Sequence, residues 1–458
     1  MLRAVGGWVG IGLIAYAVFF FDESTTWPGA HALVPTVGAA LMIASGLTLT
    51  PGSPQRLLSI APMVWIGGLS YSIYLWHWPI LVAAQGDNPD LRIRWAVLLM
   101  VASIIPAWLC HKFIENPIRF GTGFKPTGRA LGLGAALTAL GVAVGMGLSA
   151  SATIGSVKEG TSTGSVGAAA LLDPANKDVV WSDIKKVDSI RPLPVNAPDD
   201  RPPFYDDKPE CQVRNGDSEP FVCEFGDTSA DRSVLIVGDS KMGQWETTFS
   251  TIGKREGFKP IQITKSACPF TDALIARGNE DDCRAFGIKA VQKILELKPD
   301  LVITSHRRND ALPEGKTGRE NVTQDAMVDG MVKHWKKITG AGIPMVALLD
   351  NPDPGEDPVY ECVAQNPDDL TKCAFDKADA IKRSGAPAAL AAVKRMPEVK
   401  VMGLTQTLCP DDKLCAAVVG NVLINRQGSH VTRAYVDSAI TRLEEALFEA
   451  TDGKFGKK

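Results

Sequence analysis

The apolar residues of this 458-residue chain are not spread evenly but gathered into five long segments within its first third, at about residues 4–21, 31–50, 57–84, 96–113 and 129–150. A bilayer core of about 30 Å takes about 20 apolar residues as helix, so each segment is long enough to span it. The mean hydropathy of +0.03 hides this, because the remaining two thirds are polar. The first segment ends in Phe19-Phe20-Phe21-Asp22-Glu23 rather than at small residues, so it reads as a span and not as a cleavable signal. Arg3, Arg56, His111, Lys112, Arg119, Lys125 and Arg129 fall on one side of the alternating spans. Asp22, Glu23, Asp87, Asp90 and everything after Ala150 fall on the other, with Arg92 and Arg94 diluting the bias. Positive loops favour the cytoplasm, which predicts an inside N-terminus, five spans and an outside C-terminal part.

Cysteine placement bears on the same point. Cys110 lies alone in a span, whereas Cys211, Cys223, Cys268, Cys283, Cys362, Cys373, Cys409 and Cys415 all lie in the polar part. An even set confined there points to disulfides and an oxidising compartment such as a periplasm. Sequence neighbours give the pairs 211–223, 268–283, 362–373 and 409–415, though spacing alone does not fix connectivity. The competing reading, a metal site, has no Cys-x-x-Cys spacing behind it, and no metal is expected.

From Arg232 onward strand-like and helix-like stretches alternate. The strands are expected at 234–237, 260–264, 301–304, 345–349 and 399–402, and the helices at 244–256, 284–297, 325–341, 386–395 and 434–450. Such alternation predicts a parallel sheet covered by helices on both faces. The run Val234-Leu235-Ile236-Val237 leads directly into Gly238-Asp239-Ser240, which puts a hydroxyl at the C-terminal end of a strand. Ligands bind at that edge in open α/β sheets, and helix N-termini there offer N–H groups to an oxyanion. Ser240 is therefore the candidate nucleophile, although Gly-Asp-Ser also makes ordinary capped turns. Far downstream, Asn425-Arg426-Gln427-Gly428-Ser429-His430 precedes the last helix, where His430 can reach back as general base.

These two stretches, in this order, resemble the first and last sequence blocks of the SGNH (GDSL-like) hydrolase family. The resemblance makes Ser240 the nucleophile and His430 the base. In that family an Asp stands three residues before the histidine; here Gln427 does. A glutamine can accept a hydrogen bond from the ring but cannot stabilise an imidazolium as a carboxylate does. A Ser-His dyad, a substitute carboxylate and an impaired site are all open on this reading. Lys241 stands where many relatives carry His, and Asn309, just past the strand at 301–304, is the candidate oxyanion-hole amide. For Asn309 the plain alternative is a polar loop residue.

Within the third apolar segment, Gly67-Gly68-Leu69-Ser70-Tyr71-Ser72-Ile73-Tyr74-Leu75-Trp76-His77-Trp78-Pro79 has the look of an aromatic belt, yet an ionisable group and several hydroxyls inside a span tend to line a path. This string resembles a late-helix signature of the membrane acyltransferase-3 family. So do Phe21-Asp22-Glu23-Ser24-Thr25 with Trp27-Pro28-Gly29, and Phe113-Ile114-Glu115-Asn116-Pro117-Ile118-Arg119. His77, Ser70 and Tyr74 are the membrane residues marked as acyl-path candidates.

The expected architecture is multi-domain: an α-helical transmembrane bundle of about five spans followed by an α/β SGNH-hydrolase-like domain with a parallel sheet. The divisions fall at 1–127 for a partial acyltransferase-3 domain, 128–152 for the last span, 153–230 for a linker and wrapping extension, and 231–458 for the outer domain. The resemblance implies O-acetylation of an extracytoplasmic saccharide at a bacterial inner membrane, with acetyl-CoA as ultimate donor and no bound cofactor. Expected partners are the lipid bilayer and a saccharide acceptor, and no nucleic acid. The family has about ten helices plus one, so the early helices are expected from a separate chain or a longer reading frame. An esterase outcome shares the same acyl-enzyme. An inactive anchor carrying a saccharide-binding domain is the reading from another class. Trp245 and Trp335 could stack on a sugar, with core packing the plainer role.

Overall fold

The computed structural model describes residues 2–21, 29–46, 52–87, 93–123, 126–153, 158–276, 280–307 and 311–456. The chain divides into two compact units, Met1–Gly147 and Leu148–Lys458.

The first unit is helical. Its main helices are Leu2–Phe20, Leu33–Ser45, Ala61–Asp87, the continuous stretch Ile93–Phe120, and Thr127–Thr153, which runs on past the division between units. Leu2–Phe20 and Leu33–Ser45 approach so closely that a Cβ on Gly10 would lie 2.6 Å from the Gly38 carbonyl oxygen. Small residues allow this spacing between membrane helices. Among the described residues two helices qualify as spans by length and hydropathy, Ile93–Phe120 and Thr127–Gly147. Ala61–Asp87 is long enough, at 27 residues, but its Ser, Tyr, Trp and His dilute its hydropathy. The apolar side chains of this unit face outward, among them Phe19, Ile93 and Leu131. Water would penalise such a surface and lipid would not. Ser72 Oγ donates to Glu115 Oε2 at 2.9 Å, and His111 Nδ1 meets the same oxygen at 3.0 Å, tying Ala61–Asp87 to Ile93–Phe120. The motif residues 22–28 lie outside the described residues.

The second unit is built on a seven-stranded sheet: β1 Gln212–Val213, β2 Cys223–Glu224, β3 Arg232–Gly238, β4 Phe258–Lys265, β5 Leu301–Ser305, β6 Met345–Leu348 and β7 Lys400–Met402. The order is β7-β6-β5-β3-β4-β1, parallel throughout, with β2 added antiparallel to β4. The apolar run in β3 is buried on both sides because helices cover both faces. Leu235 and Val237 join one core with Val302, Met345 and Ala347, while Val234 and Ile236 join the other with Leu301, Ile303 and Leu348. Each such side chain contributes roughly 1.5–3 kcal/mol on burial, which holds the register.

The helices expected at 325–341 and 386–395 are found as Gln324–Thr339 and Ala386–Arg395. That expected at 244–256 is shorter, Glu246–Glu256, because Ser240–Gly243 forms a separate turn capped by Asp239. The last expected helix is broken at Ala439 into Arg433–Ser438 and Ile440–Ala450. The stretch before β1 packs into this unit as short 3-10 turns, a two-residue strand at Ser189–Ile190 and a helical turn at Phe204–Asp207, burying Ala168, Trp181, Ile190, Ala197 and Phe204. All eight polar-part cysteines pair as sequence neighbours, Cys211–Cys223, Cys268–Cys283, Cys362–Cys373 and Cys409–Cys415, leaving Cys110 free. Trp245 and Trp335 are buried, which leaves neither ring a face for a sugar.

Candidate active site

Among the parallel strands β4, β3, β5, β6 and β7 the order of addition reverses at β3, with β4 on one side and β5 on the other, so the C-terminal ends of β3 and β5 form the crevice where an open α/β sheet binds ligands. The turn after β3 fills that crevice. Gly238 adopts φ +154°, and a Cβ there would stand 2.1 Å from the Ser305 carbonyl of β5, so only glycine lets the chain turn this close. Asp239 caps the turn: its Oδ1 accepts from Lys241 N at 2.9 Å and its Oδ2 from Arg307 N at 3.0 Å. The cap is fully buried, and desolvation pushes its carboxyl up to about 6. Ser240 is the first residue of the turn; the N–H groups of Lys241, Met242 and Gly243 already donate to Asp239, which leaves the Ser240 N–H for an oxyanion.

His430 arrives from the loop before Arg433–Ser438. Its Nε2 lies 2.8 Å from Ser240 Oγ, and its Nδ1 lies 3.1 Å from the main-chain carbonyl of Gln427. A carbonyl only accepts, so Nδ1 carries the proton and Nε2 presents its lone pair to the serine hydroxyl. This is the tautomer a general base needs. Of the alternatives left open by the sequence, the structure has no carboxylate on Nδ1 among the described residues: the acceptor at Gln427 is the backbone carbonyl. Burial, reinforced by the positive charges of Lys241 and Arg426, pulls the His430 pKa well below its ordinary value.

Both peptide groups flanking His430 are clamped. The Ser429 carbonyl accepts from Lys241 Nζ and, at 2.6 Å, from Asn351 Nδ2. The Val431 N–H donates to Gln244 Oε1 at 3.0 Å, and Gln244 Nε2 in turn donates to Asn351 Oδ1 at 3.1 Å. Lys241 is 0% exposed; its Nζ donates to Ser429 O and, at 3.0 Å, to Asn351 Oδ1, and lies 3.3 Å from Asp350 Oδ1. At that last distance the contact is an ion pair rather than a short hydrogen bond. Asp350 is anchored by Gly385 N at 2.9 Å, and burial raises its pKa despite the lysine. Lys241 and Gln244 follow the nucleophile, so one short turn supplies Ser240 and holds the histidine loop.

An open cavity of about 360 Å³ lies over Ser240 and His430, with Arg201, Tyr205, Arg307 and Arg426 in its wall. The structure therefore brings Ser240 and His430 together, while Asn309 lies outside the described residues. Ser70 and Tyr74 sit on the exposed surface of Ala61–Asp87, and His77 Nδ1 turns back onto its own helix at Ile73 O and Tyr74 O, 3.0 and 2.9 Å away. Sequence reasoning missed Asp350, Asn351 and Gln244. The only available sign was the Lys241 oddity, since a buried lysine beside a nucleophile requires a carboxylate. Cys268, Asp282 and Cys283 are clustered, but both sulfurs are spent in their disulfide and Asp282 pairs with Lys265 at 3.1 Å.

Residues 210–443, just over half of the chain, match the family model of the SGNH domain fused to AT3 domains, and residues 2–112 match that of an acyltransferase domain. The chain is 43% identical over 70 residues to the peptidoglycan O-acetyltransferase OatA of Listeria monocytogenes, 14% of this chain and 11% of that protein. It is 37% identical over 75 residues to the O-acetyltransferase OatA of Staphylococcus aureus, 15% of this chain and 12% of that protein. The matched segments therefore span only a small part of those proteins' length. The periplasmic domain of a Salmonella Paratyphi A lipopolysaccharide acetyltransferase is similar at TM-score 0.34 and 13% identity, covering 47% of this chain and 84% of that one. A GDSL-like lipase from Bacteroides thetaiotaomicron gives TM-score 0.30 and 14% identity, covering 48% and 89%.

Proposed function

This chain belongs to the family of SGNH domains fused to AT3 domains, and on that footing we propose that it is an O-acyltransferase that places acetyl groups on an extracytoplasmic saccharide of the bacterial envelope. The observation that carries the proposal is the 2.8 Å contact between Ser240 Oγ and His430 Nε2, with Nδ1 held by a carbonyl. His430 takes the hydroxyl proton as Ser240 Oγ attacks the acetyl carbonyl carbon. The Ser240 N–H, at the start of Ser240–Gly243, stabilises the tetrahedral oxyanion. Collapse expels the donor's leaving group, which takes the proton from His430. A saccharide hydroxyl then gives its proton to His430 and attacks the acyl-serine, and Ser240 regains its hydrogen.

The proposal places the protein in the inner membrane with five passes and the Ser240 unit in the periplasm. The outward-facing apolar side chains of the first unit and the four disulfides of the second support that arrangement. Acetyl-CoA is the ultimate donor in this reading, and Ser70, Tyr74 and His77 belong to its acyl path. The test incubates membranes holding the full chain with labelled acetyl-CoA and envelope polysaccharide. Label on the saccharide that depends on Ser240 supports transfer. Ser240-dependent release of free acetate alone makes the protein an esterase, and the absence of both products overturns both readings.

A further inference from the structure

Arg426 is 6% exposed, yet among the described residues its side chain makes a single hydrogen bond, Nε to the Val431 carbonyl at 3.2 Å. No carboxylate among the described residues lies within ion-pair distance of it. A buried guanidinium without a counter-ion is costly, and its five N–H groups form a fork that matches a carboxylate or phosphate. It stands in the wall of the cavity over Ser240, and two more guanidinium side chains stand in the same wall. Arg201 comes from the extension before β1, where its Nη2 reaches Asp206 at 2.6 Å and its cation lies 5.6 Å from the Tyr205 ring. Arg307 follows β5, and its backbone is pinned to Asp239, the residue before the nucleophile. Among the described residues the wall holds one acidic side chain, Asp353, against these three arginines. Lys241 adds no net charge, because Asp350 neutralises it. Three arginines from three separate elements thus line the cavity over Ser240; Arg201 is paired with Asp206, while Arg426, the most buried, has no carboxylate within ion-pair distance among the described residues.

We infer that the cavity at Ser240 contains a subsite for an anionic group on the acceptor saccharide, a sugar carboxylate or phosphate, held by Arg426 with Arg307 and Arg201. This deepens the transferase reading and rests on it for the identity of the ligand as acceptor. The anionic group would dock on the arginine wall and leave a neighbouring sugar hydroxyl facing the acyl-serine. A neutral sugar would leave the Arg426 cation buried without a partner and bind more weakly.

Binding is measured directly, so the outcome does not depend on turnover. The full chain in detergent, carrying Ser240→Ala, is titrated with D-glucuronate, D-glucose 1-phosphate and D-glucose by ligand-observed NMR at two salt concentrations. Glucuronate, glucose 1-phosphate or both should bind at least about tenfold more tightly than glucose, a difference of 1.4 kcal/mol. The preference should shrink at high salt and be lost in Arg426→Gln. Because Arg426 also holds the histidine loop through Val431, Arg307→Gln and Arg201→Gln are titrated alongside; each keeps its backbone contacts and should weaken anion binding with glucose binding unchanged. The two anions tell carboxylate from phosphate. Equal binding of all three ligands, or an anion preference that survives all three substitutions, overturns the subsite. If the anion binds as expected while saccharide acetylation fails, the transferase reading falls and the anion subsite stands.

Discussion

Lys241 Nζ and the main-chain carbonyl of Ser429 are hydrogen-bonded partners, so the residue after the nucleophile grips the residue before the base. The Ser240–His430 contact is therefore built into the fold and does not wait for substrate to assemble it. Lys241→Met should remove this grip and leave the Asp350 carboxylate, 2% exposed, without its cation. The expected cost is about 3–5 kcal/mol, read as a fall in melting temperature, together with loss of ester turnover. Lys241→Met combined with Asp350→Leu should regain much of the stability but not the turnover, because Ser429 stays unheld. Equal stability of the single variant and wild type would contradict the ion-pair assignment.

The orienting acceptor for His430 is the Gln427 backbone, 3.1 Å from Nδ1, so the Gln427 side chain carries little of the catalysis. Gln427→Ala should keep kcat/KM for a small acetyl ester within about threefold of wild type, since a backbone carbonyl survives any substitution. Gln427→Asp should raise turnover if its carboxylate reaches the imidazolium as it forms. A large loss in Gln427→Ala would show that the side chain, not the backbone, sets the tautomer.

Acid sensitivity should come from Asp239 rather than from His430. The His430 pKa is held well below its ordinary value, so the ring is neutral and basic throughout the neutral range. The Asp239 carboxyl is raised to about 6 by burial. As pH falls through that value the carboxylate takes a proton and weakens its hold on the Lys241 and Arg307 N–H groups. A profile of kcat/KM against pH should thus be flat above about 6.5 and fall below about 6, with the acid limb displaced in Asp239→Asn. A limb at the ordinary histidine value that persists in Asp239→Asn would contradict this assignment.

Disulfide content has a simple readout. The chain has nine cysteines, eight of them paired within the second unit. Denatured but unreduced protein should take up one alkyl label, on Cys110, and reduced protein nine, counted by mass spectrometry. Additional labels without reductant would mean a reducing compartment and would remove the support for a periplasmic location.

Much of the second unit was legible because its strands are buried on both faces and so read as uninterrupted aliphatic runs, Val234 to Val237 above all. Ser240 and His430 were legible because their chemistry and their order along the chain constrain each other. The clamp was not legible, since Lys241 meets Asp350 and Asn351 only once the sheet brings the ends of β3 and β6 to one edge, with β5 between them. Nor was the role of Gln427, because a backbone carbonyl leaves no mark on residue identity. In the first unit Ser72, which bonds Glu115, had no signal to separate it from Ser70 one step away on the other side of Tyr71. The break at Ala439 escaped too, because both halves of that stretch keep a helical pattern.

The central claim is that Ser240, activated by His430, carries the acyl group. Its most direct test is to mix the full chain with an activated acetyl ester, quench within the first turnover and map the adduct by peptide mass spectrometry. The account predicts an acetyl group on Ser240 in wild type, none at that position in Ser240→Ala, and formation slowed by at least about a thousandfold in His430→Ala. Acetylation at another residue with Ser240 unmodified, or undiminished turnover in Ser240→Ala, would contradict it.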